Sequence, residues 1–195
     1  MDWNQQELNQ VLSEYEAAAD DVLNSDHSSF DSNLKRFLHL LNTHPYLSYV
    51  NEVVLPDVDF SQWYENACKT VKSMVGSGTL DWPSDRKENL SMQLALLEHM
   101  AKGKEDPPNL CSKFMYAGKY LDDCVSKVNE QITESFIRDY RRVLENIAEQ
   151  AIAEGGNEQS VSKPHWYQRP LGIVVLGLIV TIVGGLAVLK LSGQW

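Results

Sequence analysis

Residues 121–151, LDDCVSKVNEQITESFIRDYRRVLENIAEQA, carry the longest periodic signal in the chain. Leu121, Val125, Val128, Ile132, Phe136, Tyr140, Val143, Ile147 and Ala151 recur every three or four residues, a spacing that lines up side chains on one face of an α-helix. The pattern predicts one unbroken helix, about 45 Å long at 1.5 Å per residue. A small domain needs less length than that for its own core, so part of the stripe is expected to serve contacts between subunits.

Working towards the N-terminus, the same period recurs in shorter runs. Leu8, Val11, Leu12, Tyr15, Ala18, Ala19 and Val22 define an amphipathic helix over 3–23, with acids opposite. Asp31 or Ser32 caps a second helix through Leu34, Phe37, Leu38 and Leu41, which His44-Pro45 ends or bends. The next segment, YLSYVNEVVLPDVDF, is β-branched and supports no assignment. A third helix is expected to start at Ser61 and run through Val75 to a stop at Gly76, and a fourth to run from a Ser84 cap to Gly103 with Leu90, Leu94, Leu97 and Ala101 on its face. KEDPPN reads as a loop, and Leu110 to Ala117 as a short helix.

Beyond the long helix, EGGNEQSVSKP reads as a polar linker, and Leu171 to Leu189, LGIVVLGLIVTIVGGLAVL, contains no charged residue. Nineteen helical residues span about 28 Å, the thickness of a bilayer's hydrocarbon core. Trp166 and Tyr167 on one side and Trp195 on the other suit the headgroup region. Lys163 and Arg169 precede the span, which places residues 1–169 in the cytosol by the positive-inside bias. Gly177, Thr181 and Gly185 fall on one stripe with Gly184 beside them, a pattern of small residues that lets helices approach closely in lipid. The expected architecture is therefore all-α: a helical-bundle cytosolic domain over 1–154, a linker and membrane-entry segment over 155–170, and one C-terminal transmembrane helix over 171–191.

The 195 residues carry 17 Lys and Arg against 27 Asp and Glu, a formal charge of -10, which argues against indiscriminate adhesion to nucleic acid or anionic lipid. Any anion site must be a local patch. Positive charge is locally dense at Lys113, Lys119, Lys127, Arg138, Arg141 and Arg142. One reading is an exposed, salt-bridged face, with Glu134–Arg138 and Arg141–Glu145 at i,i+4 spacing. The other is a ligand-binding patch, which oligomerisation around a shared axis would turn into a basic chamber able to hold a polyanion.

No catalytic constellation is expected. MVGSGTLDW at 74–82 lacks the lysine and hydroxyl of a nucleotide-triphosphate loop and reads as a helix C-cap followed by a turn. His27, His39, His44, His99 and His165 make no metal-ligand pair on one helix face, and Cys68, Cys111 and Cys124 read as reduced, mostly buried thiols. The expectation is a non-enzyme without metal or cofactor.

The runs FMYAGKYLDDCVSKVNEQITESFIRDYRRVLE at 114–145, FDSNLKRFLHLL at 30–41 and GSGTLDWPSDRKENLSMQLALL at 76–97 resemble a bacterial domain found in otherwise uncharacterised proteins. With a tail helix attached, the chain resembles the transmembrane effector of a bacterial antiphage system of the Hailong type. The resemblance implies a homo-oligomer such as a tetramer in the bacterial inner membrane, held silent by oligodeoxyadenylate made by a partner nucleotidyltransferase, and acting on membrane integrity. The alternative is a tail-anchored adaptor that recruits a cytosolic protein partner to the membrane.

Overall fold

The computed structural model describes the backbone of residues 5–156 and side chains over most of that range. The chain divides into two compact units, Met1–Ile152 and Ala153–Trp195. The expected linker and span, with Gly177, Thr181, Gly184 and Gly185, lie outside the described residues. Among the described residues no helix is long and apolar enough to cross a membrane.

The first unit is all-helical, as the periodicity predicts, with no strand among the described residues. Its helices are α1 (Gln5–Leu23), α2 (Phe30–Thr43), α3 (Pro45–Tyr49), α4 (Phe60–Lys69), α5 (Arg86–Ala101), α6 (Pro107–Phe114), α7 (Leu121–Val128) and α8 (Glu134–Gly156). Two π-helical turns, Val50–Val54 and Asn129–Thr133, follow α3 and α7 directly. The unassigned YLSYVNEVV segment is thus α3 and its π-turn. Pro45 opens α3 rather than ending order, because its missing N–H falls where a helix start has no use for one.

Three aspartates fix helix starts. Asp59, Asp85 and Asp106 accept from the backbone N–H groups of Gln62, of Lys87 and Glu88, and of Asn109, at 2.8–3.0 Å. A carboxylate satisfies these otherwise unpartnered donors and suits the positive end of the helix dipole. They displace the expected starts at Ser61, Ser84 and Leu110, and draw Pro107 and Pro108 of the presumed loop into the first turn of α6.

The core is built on aromatic stacking between the first and last helices. Tyr15 stacks on Tyr140 at 5.7 Å, Phe37 packs against both Tyr15 and Phe136, and all four rings are fully buried. Burial leaves no water for the two phenols, and each finds a carbonyl: Tyr15 donates to Ile137 O and Tyr140 lies within 2.8 Å of Leu47 O. That burial pushes both hydroxyls' pKa above the ordinary value.

α5 departs from the one-faced pattern expected of it. Leu90, Ser91, Met92, Gln93 and Leu94 are consecutive and all buried. At 100° per residue five such positions encircle the axis, so α5 is the domain's central helix, flanked by α2, α4 and the second π-turn.

The long C-terminal helix is interrupted. In the π-turn, Asn129 donates to Val22 O (3.0 Å), which also accepts from Ser25 N, and to Leu23 O (3.2 Å), carbonyls at the end of α1. Phe136 and Tyr140 are buried as the periodicity names them, but beyond Tyr140 the core stripe departs from it: Leu144 and Ala148 are fully buried where unbroken periodicity names Val143 and Ile147. From Val125 to Ala148 the stripe is filled by the chain's own core, so that length does not require a subunit contact.

α4 ends at Lys69, not at Gly76. Thr70, Val71 and Val75 are β-branched and hold a helix poorly, and the backbone beyond them bonds elsewhere. Gly76 N–H donates to Ser112 O (2.9 Å) and Gly78 N–H to Lys113 O (2.8 Å). The glycine segment is a seam against α6, not a helix C-cap, and those two amides are unavailable to a phosphate. Gly76 has φ +68° and a Cβ there would stand 2.7 Å from the Met115 carbonyl carbon; Gly103 shares the φ of +68° with open space around it. Gly76→Ala is therefore expected to cost about 2–4 kcal/mol, and Gly103→Ala about 1 kcal/mol. Urea unfolding of the two variants reads the difference, which isolates the backbone clash.

Candidate anion-binding site

Two polar stripes face each other between α5 and the π-turn–α8 rod. Arg86, Asn89 and Gln93 recur every three or four residues on α5; Gln131, Ser135, Arg138, Asp139 and Arg142 do so on the other side. With Trp82 and Ser84 from the preceding turn they line an open cleft of about 520 Å³.

The chemistry of the cleft centres on one carboxylate. Asp139 Oδ1 lies 3.2 Å from Arg86 Nη2, 3.1 Å from Arg138 Nε and 3.6 Å from Arg142 Nη1. Burial opposes the charged form of Asp139, but the Arg138 and Arg86 guanidiniums outweigh it and hold the carboxyl below its ordinary pKa. Hydrogen bonding to Asp139 raises Arg138 in turn. Three guanidiniums face Asp139, and Glu134 acts on Arg138 as well, which leaves an excess of positive charge on side chains that are each more than half exposed. A planar guanidinium presents paired donors that match phosphate oxygens, and three converging on one point form a ready anion cradle.

The remaining lining is polar and aromatic. Trp82 is braced against Trp63 at 4.9 Å, and Trp63 Nε1 donates to Asp81 O at 2.6 Å. Asn89 Nδ2 donates to Pro83 O (3.1 Å), tying the turn to α5. Gln93 is buried, and its Oε1 has no partner. A carboxamide oxygen buried without a donor carries a desolvation penalty that a ligand N–H or water would relieve.

The six basic residues singled out by the sequence separate in space. Arg138 and Arg142 line the cleft. Arg141 points to the other side, bonded to Glu16 (2.5 Å) and to Glu145 (2.9 Å), so the Arg141–Glu145 pair forms as its spacing suggests. Arg138 makes its ion pair with Asp139 rather than Glu134. Lys127 pairs with Glu130 at 2.8 Å. Lys119 stands exposed in the loop before α7.

Lys113 belongs to a separate cluster. Its Nζ and the Tyr64 hydroxyl both donate to Glu105 Oε2, a carboxylate with 3% of its side chain exposed. Phe60, His99 and Phe114 pack around the Tyr64 ring. Burial and the Glu105 bond raise the Tyr64 phenol, and burial lowers His99. The buried Glu105 carboxylate is met by the Tyr64 and Lys113 donors, which makes the cluster a clamp between α4 and α6. Cys111 is pushed up to about 12 by burial and by neighbouring Cys124, and so stays a thiol. Among the described residues no group of three or more His, Cys, Asp or Glu gathers as a metal site would require.

Sequence reasoning missed Arg86, Trp82 and Gln93. Arg86 lies 52 positions before Arg138, on a different helix, and only the fold brings them together. The available signal was Asp139 within RDYRR: a lone acid sharing one helical face with Arg138 and Arg142.

No protein-family model matches the chain, and no solved structure matches it. It is similar to an uncharacterized protein, YuaY, of Escherichia coli strain K12, with 29% identity over 126 residues. That stretch covers 65% of this chain and 42% of YuaY, so the chain spans less than half of its relative's length.

Proposed function

We propose that the chain is a membrane effector of bacterial antiphage defence, whose helical domain faces the cytosol and whose C-terminal span at 171–191 holds it, as an oligomer, in the inner membrane. A nucleotide-class polyanion, oligodeoxyadenylate in the reading that the sequence resemblance supports, occupies the cleft of Arg86, Arg138 and Arg142 and sets whether the assembly perturbs the membrane. The observation that carries the ligand assignment is the convergence of three guanidiniums on Asp139 Oδ1 beside a braced tryptophan. Arginines recognise phosphate, aromatic faces stack bases, and that pairing is the usual basis of single-stranded nucleic acid binding.

The span supplies the effector end of the proposal: a stripe of Gly177, Thr181 and Gly185 without charge suits close helix packing in lipid. Inducible expression in a bacterium, followed with a potential-sensitive dye, is expected to collapse the membrane potential. Truncation before Pro164 removes that effect, and leucine at Gly177, Thr181 and Gly185 weakens it at least about tenfold. A potential undisturbed by the full chain overturns the effector reading; activity that survives replacement of the span by an unrelated anchor assigns an adaptor instead.

A further inference from the structure

The six large apolar side chains that stand open to solvent among the described residues are not scattered. Five of them, Met74 (75% exposed), Val75, Tyr116 (80%), Tyr120 and Leu121, lie on the loop after α4, the loop before α7 and the first residue of α7. The glycine seam joins these loops. Gly76 and Gly78 bond to Ser112 and Lys113 at the end of α6, and a Cβ on Gly76 would stand 2.9 Å from Tyr116 N, so the backbone next to Met74 and Val75 runs against the backbone at Tyr116. Scattered apolar side chains on a surface need no explanation, but a cluster on adjoining loops marks a contact.

Charge distinguishes the same two stretches. Residues 66–80 and 107–121 contain no Asp or Glu, in a chain that has 27 of them. They contain four lysines. Lys69 pairs with Glu65 and Lys113 with Glu105, whereas Lys72 and Lys119 have no ionic partner among the described residues. The acids begin again just beyond this stretch, where Asp122 accepts from His27 N and Asp123 from Tyr120 N. An otherwise acidic domain thus carries one apolar tip with tyrosines and free lysines.

We infer that these two loops dock the domain onto an anionic lipid surface. Tyrosine rings favour the headgroup layer, Met, Val and Leu the acyl boundary, and lysines the lipid phosphates. The rest of the domain, rich in carboxylates, is repelled by the same surface, and that fixes which side turns to the bilayer. The inference extends the proposed membrane location and rests on it for proximity: the fourteen residues 157–170 before the expected span reach at most about 50 Å. That keeps the domain within contact distance.

The test uses the full chain in nanodiscs of phosphatidylglycerol or phosphatidylcholine, with amide hydrogen exchange read along the chain. Amides of 72–78 and 114–121 are expected to exchange at least about fivefold more slowly in the anionic discs, while the Arg86–Arg142 cleft is unchanged. Met74→Glu with Tyr116→Glu removes the protection, and both positions are exposed enough to leave the fold intact. Equal exchange in the two lipids overturns the inference. So does protection that grows with protein concentration and appears in neutral discs, which assigns the loops to a second copy of the chain. A chain that fails to enter discs refutes the span separately; exchange with preformed vesicles of the two lipids then decides the docking surface.

Discussion

Arg138→Glu combined with Arg142→Glu is expected to lower affinity for short oligodeoxyadenylate by at least about a hundredfold. Each charge-assisted hydrogen bond lost is worth about 1.5–3 kcal/mol, so two of them alone supply that factor. The reversal also removes the positive excess of the cleft, since Asp139 and two glutamates then face Arg86 alone. The fold should survive, because both arginines are more than half exposed and exposed ion pairs contribute about 0–1 kcal/mol. Arg141→Glu provides the control. It lies outside the cleft, on the Glu16 and Glu145 side, and should leave affinity within about threefold. A filter-binding titration of the full chain with labelled oligonucleotide compares the three proteins.

Lys113→Met is expected to destabilise the domain by about 3 kcal/mol. Glu105 is almost wholly buried, and its charge is met by the Lys113 ammonium and the Tyr64 hydroxyl. Removing the ammonium leaves a buried carboxylate with one neutral donor, and breaking such a pair from one side typically costs about 3–5 kcal/mol. The lower end applies because a third of the Lys113 side chain is open to water. Glu105→Gln in the same background should recover part of the loss, since the amide needs no counter-ion. Urea unfolding followed by tryptophan emission reads both, as Trp63 and Trp82 stack close to this corner of the domain. Equal stability of Lys113→Met and the unmodified chain would show that Lys113 is not part of the clamp.

Helices were legible where one face is apolar and the other is not. α1 and α2 follow their periodicity within a few residues, and all-helical architecture was readable from that period alone. The central helix was harder, since Ser91 and Gln93 look like surface residues in a sequence and are buried in the fold. Periodicity also could not reveal the π-turn at 129–133, because its cause is tertiary: Asn129 reaches the carbonyl ends of α1, more than a hundred positions away. Helix starts were misplaced towards serines where an aspartate stood one or two residues off, with the stronger acceptor.

The candidate site was legible by half. Density of positive charge on and just before 121–151 pointed to Arg138 and Arg142, but it also collected Arg141, Lys113, Lys119 and Lys127, which do not line the cleft. Charge density along a sequence does not encode which way each side chain turns. Direction came from the carboxylates: Glu16 and Glu145 hold Arg141, Glu105 holds Lys113, and Asp139 gathers Arg86, Arg138 and Arg142.

Occupancy of the cleft by a nucleic acid anion is tested most directly by titrating the full chain with oligodeoxyadenylate at several salt concentrations while reading tryptophan fluorescence. Stacking on Trp82 predicts a saturable quench that disappears in Trp82→Phe. Two to three phosphates held by the arginines predict that log affinity falls against log salt with a slope between about -1.4 and about -2.1, at roughly -0.7 for each phosphate of a single strand. A quench that persists in Trp82→Phe, or an affinity unmoved by salt, would contradict the assignment.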